Sequence, residues 1–330
     1  MAIPSASLAY RRIALMTATK VTVKPPSEDV LKARDNFQDF CKFMGKPPAK
    51  HMLEWHAELC TGEDSECLIG IGGPNTSILA PRGSAKSTVL GLFAAWMIGR
   101  HAAAKQMLRI LYIAYMVDIS RAKSATIKGI LTSAKYREIF PMVRLSKIKR
   151  SDEYWSIDYE FAGIDTAGEE AFTIACGGLK GAITSKRSQL VLIDDPIKSA
   201  ASINNPDIRR EMEQTWSNVI APTMFQGARA ICLGTRFHFD DIHATLFVPK
   251  NKWKQIVQQA VITDSDGKQR SYWPEFWSMK YLNERKMEDR VAFAYQYLNA
   301  AVKSTDVGLS PELIIKGEVP EDYDLSLIHI

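Results

Sequence analysis

The 330-residue sequence has no CxxC pair, and its five cysteines, at 41, 60, 67, 176 and 232, are scattered and odd in number. A zinc knuckle or a disulfide framework needs clustered thiols, so the pattern reads as reduced cysteines of a cytosolic protein. Long hydrophobic runs are missing too. The longest charge-free apolar stretch, from Ser87 to Gly99, stops at Arg100, short of the roughly 20 residues of a membrane span. There is no internal repeat and no low-complexity tract. With 46% apolar and 24% charged residues, the composition excludes a mostly disordered, collagen-like or disulfide-stapled chain. Neither sign of charge dominates: the net charge of +5 is compatible with nucleic acid without demanding it. Acids are absent from residues 1–27, which carry Arg11, Arg12, Lys20 and Lys24. That stretch lacks the apolar core and cleavage pattern of a targeting signal, so it reads as a loose N-terminal arm.

The length fits two domains, or one large α/β domain with an appendage, at about 150 residues per domain. Helical spacing of apolar residues predicts helices over 28–43 and 49–60. From Thr76 onward strands and helices alternate. Strands are expected at Thr76–Ala80, Arg109–Tyr115, Gln189–Ile193, Arg229–Leu233 and Trp253–Ile262. Helices are expected at Lys86–His101, Ile119–Lys135, Pro206–Ile220 and Phe239–Phe247. A hairpin is read from Tyr154–Phe161 and Ala171–Ala175. Such alternation implies crossover connections and a largely parallel sheet. A polar loop, Asp264–Arg270, leads to WPEFW at 273–277 and a helical stretch over Met279–Leu298, read as a small subdomain. The final run, Leu325–Ile330, is a strand with no partner after it, which reads as the end of a fragment.

The loop after the first strand is Ala80-Pro81-Arg82-Gly83-Ser84-Ala85-Lys86-Ser87-Thr88. It departs from the phosphate-binding pattern GxxxxGK[ST] by having alanine at both glycine positions, 80 and 85, so Gly83 alone supplies a flexible backbone. A buried strand, a tight turn and Lys-Ser-Thr at a helix start remain. Amides there can cradle phosphates, Lys86 reaches the β and γ oxygens, and Ser87 offers a hydroxyl to Mg²⁺. The competing reading is a basic, serine-rich turn that caps a helix. Asp194 and Asp195 end the apolar strand QLVLI, where a phosphate-hydrolysing site needs one carboxylate near Mg²⁺ and a group that orients water. Thr235 ends a third strand and can bond the γ-phosphate or its water. Ligands of open parallel sheets bind beyond the carboxyl ends of the strands, so three such features favour nucleotide hydrolysis.

The string APRGSAKST at 80–88 resembles the deviant P-loop of tailed-bacteriophage large terminase subunits, the ATP-driven motors that pump viral DNA into capsids. GAITSKRSQLVLIDDP at 181–196 is similar to the family's Walker B segment. LGTRFH at 233–238, followed by Asp240-Asp241, is similar to its coupling motif. AYQYLNA, within 273–300, is similar to the stretch that closes its ATPase half. The resemblance implies a RecA-like P-loop ATPase fold, with a mostly parallel sheet flanked by helices. It implies a helical N-terminal arm over 1–45, an ATPase domain over 46–262 and a small linker subdomain over 263–305. Residues 306–330 are then a linker and the truncated start of a nuclease, since Asp322 and Asp324 precede LSLIHI where that domain's first strand begins.

As implied site residues, Pro81 to Thr88 bind ATP, with Arg82 sensing the γ-phosphate and Lys86 and Ser87 in their P-loop roles. Asp194 holds Mg²⁺ with Ser87, Asp195 is the catalytic carboxylate where many relatives carry Glu, and Thr235 couples hydrolysis to movement. His51 takes the place near the adenine where the family often has Gln. Implied partners are double-stranded DNA, the small terminase subunit, the procapsid portal protein and further copies in a ring. Membranes are not among them. The place of action is the host cytoplasm, transiently on the procapsid.

Three further features bear on this reading. Residues 121–150 carry Arg121, Lys123, Lys128, Lys135, Arg137, Arg144, Lys147, Lys149 and Arg150 with Glu138 as the only acid; this is either a DNA-phosphate stripe or a solvated face. Arg187 is the first candidate for an arginine reaching a neighbouring subunit's site, with Arg236 behind it, although a structural ion pair is the commoner fate of each. His238 and His243 are five residues apart, a poor metal pair, and Asp240 reads as an N-cap. Two other functions compete: a helicase-like or other DNA-dependent P-loop ATPase, and a non-hydrolysing nucleotide-binding or scaffold protein.

Overall fold

Runs such as ILYIA at 110–114 are apolar at every position, and a strand with this pattern needs cover on both faces. In the computed structural model, which describes residues 25–61, 73–180 and 186–300, such strands form the middle of an eight-stranded sheet. The strands are β1 (Asn75–Leu79), β2 (Ile110–Ala114), β3 (Leu145–Arg150), β4 (Tyr154–Ile157), β5 (Ile174–Gly178), β6 (Ser188–Asp194), β7 (Met224–Gly234) and β8 (Trp253–Val257). Their order is β3-β4-β5-β2-β6-β7-β1-β8. From β5 to β8 every neighbouring pair is parallel, whereas β3–β4 and β4–β5 are antiparallel. The mostly parallel α/β sandwich expected from the alternation is therefore present, with an antiparallel extension on one edge.

Helices cover both faces. On one side lie α1 (Glu28–Asp35), α2 (Phe37–Phe43), α3 (Leu53–Leu59), α4 (Lys86–Ala103), α5 (Val117–Thr132) and α6 (Ala134–Ile139). Ile110 and Tyr112 point into that core with Phe37, Phe40, Phe93 and Trp96. Leu111 and Ile113 point the other way, toward Met212, Trp216, Phe247 and Trp253, beneath α7 (Pro206–Thr215). The helices at 28–43 thus share the main core of the sheet, because Ala33, Phe37 and Phe40 are buried in it. Arg229 fastens α3 to the sheet. Its buried guanidinium donates to Glu58 O at 3.0 Å, Pro74 O at 2.8 Å and Thr76 Oγ1 at 2.8 Å, and burial brings its pKa down to about 10.

Several expected elements are divided, each at a residue able to start a new helix or strand. The helix expected over 28–43 breaks at Asn36, whose side chain accepts from the Asp39 N–H. The stretch 279–298 breaks at Asp289, which caps the second of α8 (Met279–Glu288) and α9 (Arg290–Leu298). The strand expected at 253–262 ends at Val257, and Val261–Thr263 becomes β9, paired antiparallel with β10 (Gln269–Ser271). That small sheet, α8 and α9 enclose a separate core of Ala260, Tyr272, Trp277, Leu282 and Phe293. Among the described residues no helix is long and apolar enough to cross a membrane. Residues 306–330, where a nuclease start was expected, lie outside the described residues.

Candidate nucleotide site

Strand order builds the site. β7 lies between β1 and β6, with Leu79 level with Gly234 and Leu233 level with Asp194. The three strand ends therefore stop in one row, and the residues just beyond them meet in space. Pro81–Ala85 forms the loop and Lys86 opens α4. Gly83 has φ +85°, and a Cβ there would stand 3.2 Å from Trp277 Cζ2. Ala85, at the position where the usual loop has glycine, also adopts the left-handed region at φ +63°. Ser84 is buried and its hydroxyl donates to Pro81 O at 2.6 Å.

Lys86 folds back across the loop. Its Nζ donates to Thr235 Oγ1 at 2.8 Å and to Ala80 O at 3.1 Å, and lies 3.7 Å from Asp195 Oδ1. Burial lowers its pKa, while Asp195 and Asp194 draw it back up. Ser87 Oγ donates to Asp194 Oδ1 at 2.8 Å, and Tyr112 OH donates to Asp194 Oδ2 at 3.1 Å. Burial raises the Asp194 pKa, and the neighbouring charge of Asp195 raises it further. Asp195 sits at φ +43°. Its side chain is 44% exposed, and Oδ1 has no hydrogen-bond partner. Thr235 is buried; Arg82 and Thr88 are exposed. Lys86, Ser87, Asp194, Asp195 and Thr235 are thus brought together as the sequence implied.

No protein-family profile matches the chain, and no curated protein sequence matches it. Among solved structures it is similar to a mutant of the large terminase ATPase domain of Thermus phage P74-26, at 14% identity and a TM-score of 0.48, covering 80% of this chain and 98% of that one. It is also similar to the large terminase of bacteriophage HK97, at 13% identity and a TM-score of 0.47, covering 82% of this chain and 55% of that one. The chain thus spans about half the length of that terminase.

Other expected site residues are placed differently. His51 lies in a short 3₁₀ turn, Lys50–Met52, with its ring 4.4 Å from Tyr272 and 4.8 Å from Trp273, centre to centre. Both ring nitrogens are enclosed, and burial lowers its pKa to about 4. The imidazole packs beneath the loop and lines a cavity of about 640 Å³ together with Lys50, Glu54, Gln258 and Tyr272. Arg187 is exposed just before β6, at the opposite end of the strand from Asp194. At about 3.3 Å per residue the length of β6 separates it from the Lys86–Asp194 cluster of its own chain. Arg236 is held by Asp241, whose carboxylate accepts from its Nε at 3.1 Å and also from Phe237 and His238 N–H. Asp241, not Asp240, caps the following turn: its buried carboxylate also accepts from His243 N–H at 3.1 Å. His243 is packed against Gly234, where a Cβ would stand 2.6 Å from its ring.

The basic stripe is partly spent locally. Arg121 pairs with Asp118 and Glu153, and Lys128 with Asp152, acids that flank the 121–150 window. Arg144 lies 3.6 Å over the Phe161 ring. Lys147 and Arg150 remain exposed on edge strand β3, beside an Ile148 that is 92% exposed. Lys123 turns inward instead: it lines a cavity of about 260 Å³ with Ser87, Thr88 and Tyr112, and its charge lowers the Asp194 pKa.

Sequence reasoning missed Tyr112, Gln258 and Asn299. A tyrosine inside an otherwise apolar buried strand is itself a signal, because its hydroxyl needs a partner. Gln258 and Asn299 gave no such sign.

Proposed function

We propose that the chain is the ATP-hydrolysing motor part of a viral large terminase, which drives double-stranded DNA into a procapsid. The observation that carries the ATPase reading is the convergence of Lys86 with Thr235 and of Ser87 with Asp194 at adjoining strand ends. The terminase reading rests in addition on the order and wording of the four sequence segments that resemble that family.

The triphosphate would lie over residues 81–88, its oxygens facing loop amides and the α4 N-terminus. Lys86 would turn from its present carbonyl partners to the β and γ oxygens. Mg²⁺ fits the donor set: a hydroxyl, Ser87, and a buried carboxylate, Asp194, are the hard oxygen ligands it prefers beside substrate phosphates. When bound, it would offset charge on the phosphate oxygens. Asp194 is held above its ordinary pKa by burial and by Asp195, so a cation there would favour its ionised form. Asp195, whose side chain is 44% exposed, would accept a hydrogen bond from the attacking water and orient it. Thr235 would lose or keep its Lys86 bond according to whether a γ-phosphate is present, and so sense hydrolysis. Thr88 opens onto the cavity walled by Met44, Gly91 and Leu92, a hollow that the nucleoside could enter. Arg187 remains a candidate to complete a neighbouring subunit's site in a ring. The small terminase subunit, the portal protein and DNA are the proposed partners, and the host cytoplasm the proposed setting.

The test is steady-state ATP hydrolysis by the wild-type chain and by Lys86→Ala, with and without linear duplex DNA. Turnover that disappears in Lys86→Ala while the variant stays folded is expected. Turnover retained in the variant overturns the site assignment. A wild-type chain that binds ATP without hydrolysing it would instead be a nucleotide-binding scaffold.

A further inference from the structure

The last turn of α9 ends against three parts of the nucleotide site. A helix leaves its final carbonyls without intrahelical partners, and here two of them are used outside the helix. Gln296 O accepts from Arg82 N–H at 2.8 Å, and Tyr297 O accepts from Ala260 N–H at 2.8 Å. Asn299 follows in the left-handed region at φ +49°, a conformation asparagine tolerates better than most residues. It is 5% exposed. Its Oδ1 accepts from Arg236 N–H at 3.1 Å, and its Nδ2 donates to Gln258 O at 2.8 Å.

Both side-chain bonds leave the helix and reach the two strands that flank β1. Arg236 follows Thr235 at the end of β7. Gln258 follows β8, and its own N–H donates to Leu79 O at 2.8 Å. The Gln258 carboxamide accepts from Trp55 Nε1 at 2.8 Å and donates to His51 O at 3.1 Å, which extends the same network beneath the loop. One peptide unit therefore separates the Asn299 bond from the hydroxyl that holds Lys86.

We infer that Asn299 is a positioning residue for ATP hydrolysis, fixing the 235–236 peptide so that Thr235 meets Lys86 and tying movement of that peptide to α9 and its subdomain. The inference rests on the ATPase reading above. Asn299 touches neither substrate nor the reacting atoms; it acts through Arg236 and Thr235.

Asn299→Gly keeps the left-handed backbone and removes both bonds, whereas Asn299→Asp keeps an acceptor for Arg236 N–H. ATP turnover of the full 330-residue chain is measured against ATP concentration for the wild type and both variants. Asn299→Gly is expected to lower kcat about tenfold with KM for ATP within about threefold, since small misplacements at a site are costly in rate. Asn299→Asp should recover most of that loss. A kcat for Asn299→Gly within twofold of the wild type overturns the inference, as does an Asn299→Asp no better than Asn299→Gly. Absence of ATP turnover in the wild type would overturn the underlying reading, which keeps the two failures apart.

Discussion

Ser87 Oγ and Asp194 Oδ1 lie 2.8 Å apart, although β1 and β6, the strands that lead to them, are not neighbours in the sheet. β7 runs between them. α4 starts where β1 ends and reaches over the end of β7 to the carboxylate on β6. The intervening strand is thereby caught below, and Thr235, the residue just beyond it, accepts from the Lys86 ammonium. A loop that lacks both of its usual glycines thus joins a cluster of one ammonium, two hydroxyls and two carboxylates in one row.

Asp195→Asn separates hydrolysis from binding. Asparagine tolerates the φ of +43° found there, so the backbone should be kept and only the charge removed. Loss of a general base commonly costs about 10²- to 10⁴-fold. The variant should therefore bind a slowly hydrolysed ATP analogue as the wild type does, while its ATP turnover falls by at least about a hundredfold. Equal turnover in a phosphate-release assay would remove Asp195 from the reaction.

Much of this site is legible from sequence because it depends on what ends each strand, and strand ends are local features. Lys86-Ser87, Asp194-Asp195 and Thr235 each follow an apolar run. Tyr112 and Asn299 are different: their partners are set by sheet order and by docking of α9, and no spacing along the chain encodes either. The surroundings of His51 are likewise set far along the chain, by Tyr272 and Trp273, more than two hundred residues later. The breaks at Asn36 and Asp289 were readable in principle, since each residue caps the helix that follows it.

Tyr112→Phe tests how Asp194 is held. The phenol donates one of the two side-chain hydrogen bonds to that carboxylate, and phenylalanine keeps the buried ring. Losing a group that orients a ligating carboxylate typically costs about 10- to 100-fold in metal affinity. The Mg²⁺ concentration for half-maximal ATP turnover should rise about tenfold, with the maximum at saturating Mg²⁺ less affected. An unchanged Mg²⁺ dependence would show that Ser87 alone orients Asp194.

Ala85→Gly should stabilise the protein. Ala85 stands at φ +63°, where a Cβ costs roughly 1–2 kcal/mol that glycine avoids. Glycine adds about 0.4–1 kcal/mol of unfolded-state entropy, so the net gain lies between about zero and 1.6 kcal/mol. Urea titration should show a higher midpoint with an unchanged slope. A lower midpoint would mean that the alanine methyl contributes packing that outweighs the strain.

Acid should destabilise the fold as pH falls below about 6.5, the ordinary histidine pKa. His51, His56, His101 and His243 are all held neutral by burial, each lowered from 6.5 to about 4. The unfolded chain takes up protons as pH falls through 6.5, whereas the folded chain does not until about 4, so the unfolded state binds more protons across that interval. Stability is therefore full above pH 6.5 and declines down to about 4, at up to about 2 kcal/mol per histidine by pH 5. Urea midpoints measured from pH 7.5 to pH 5 should fall steadily. His101 is the simplest one to isolate, since its Nδ1 bonds only Met97 O within its own helix, at 2.9 Å. A phenylalanine there should flatten the pH dependence relative to the wild type, whatever it does to stability at pH 7.5. The same slope in both proteins would mean that the buried histidines are not what makes the fold acid-sensitive.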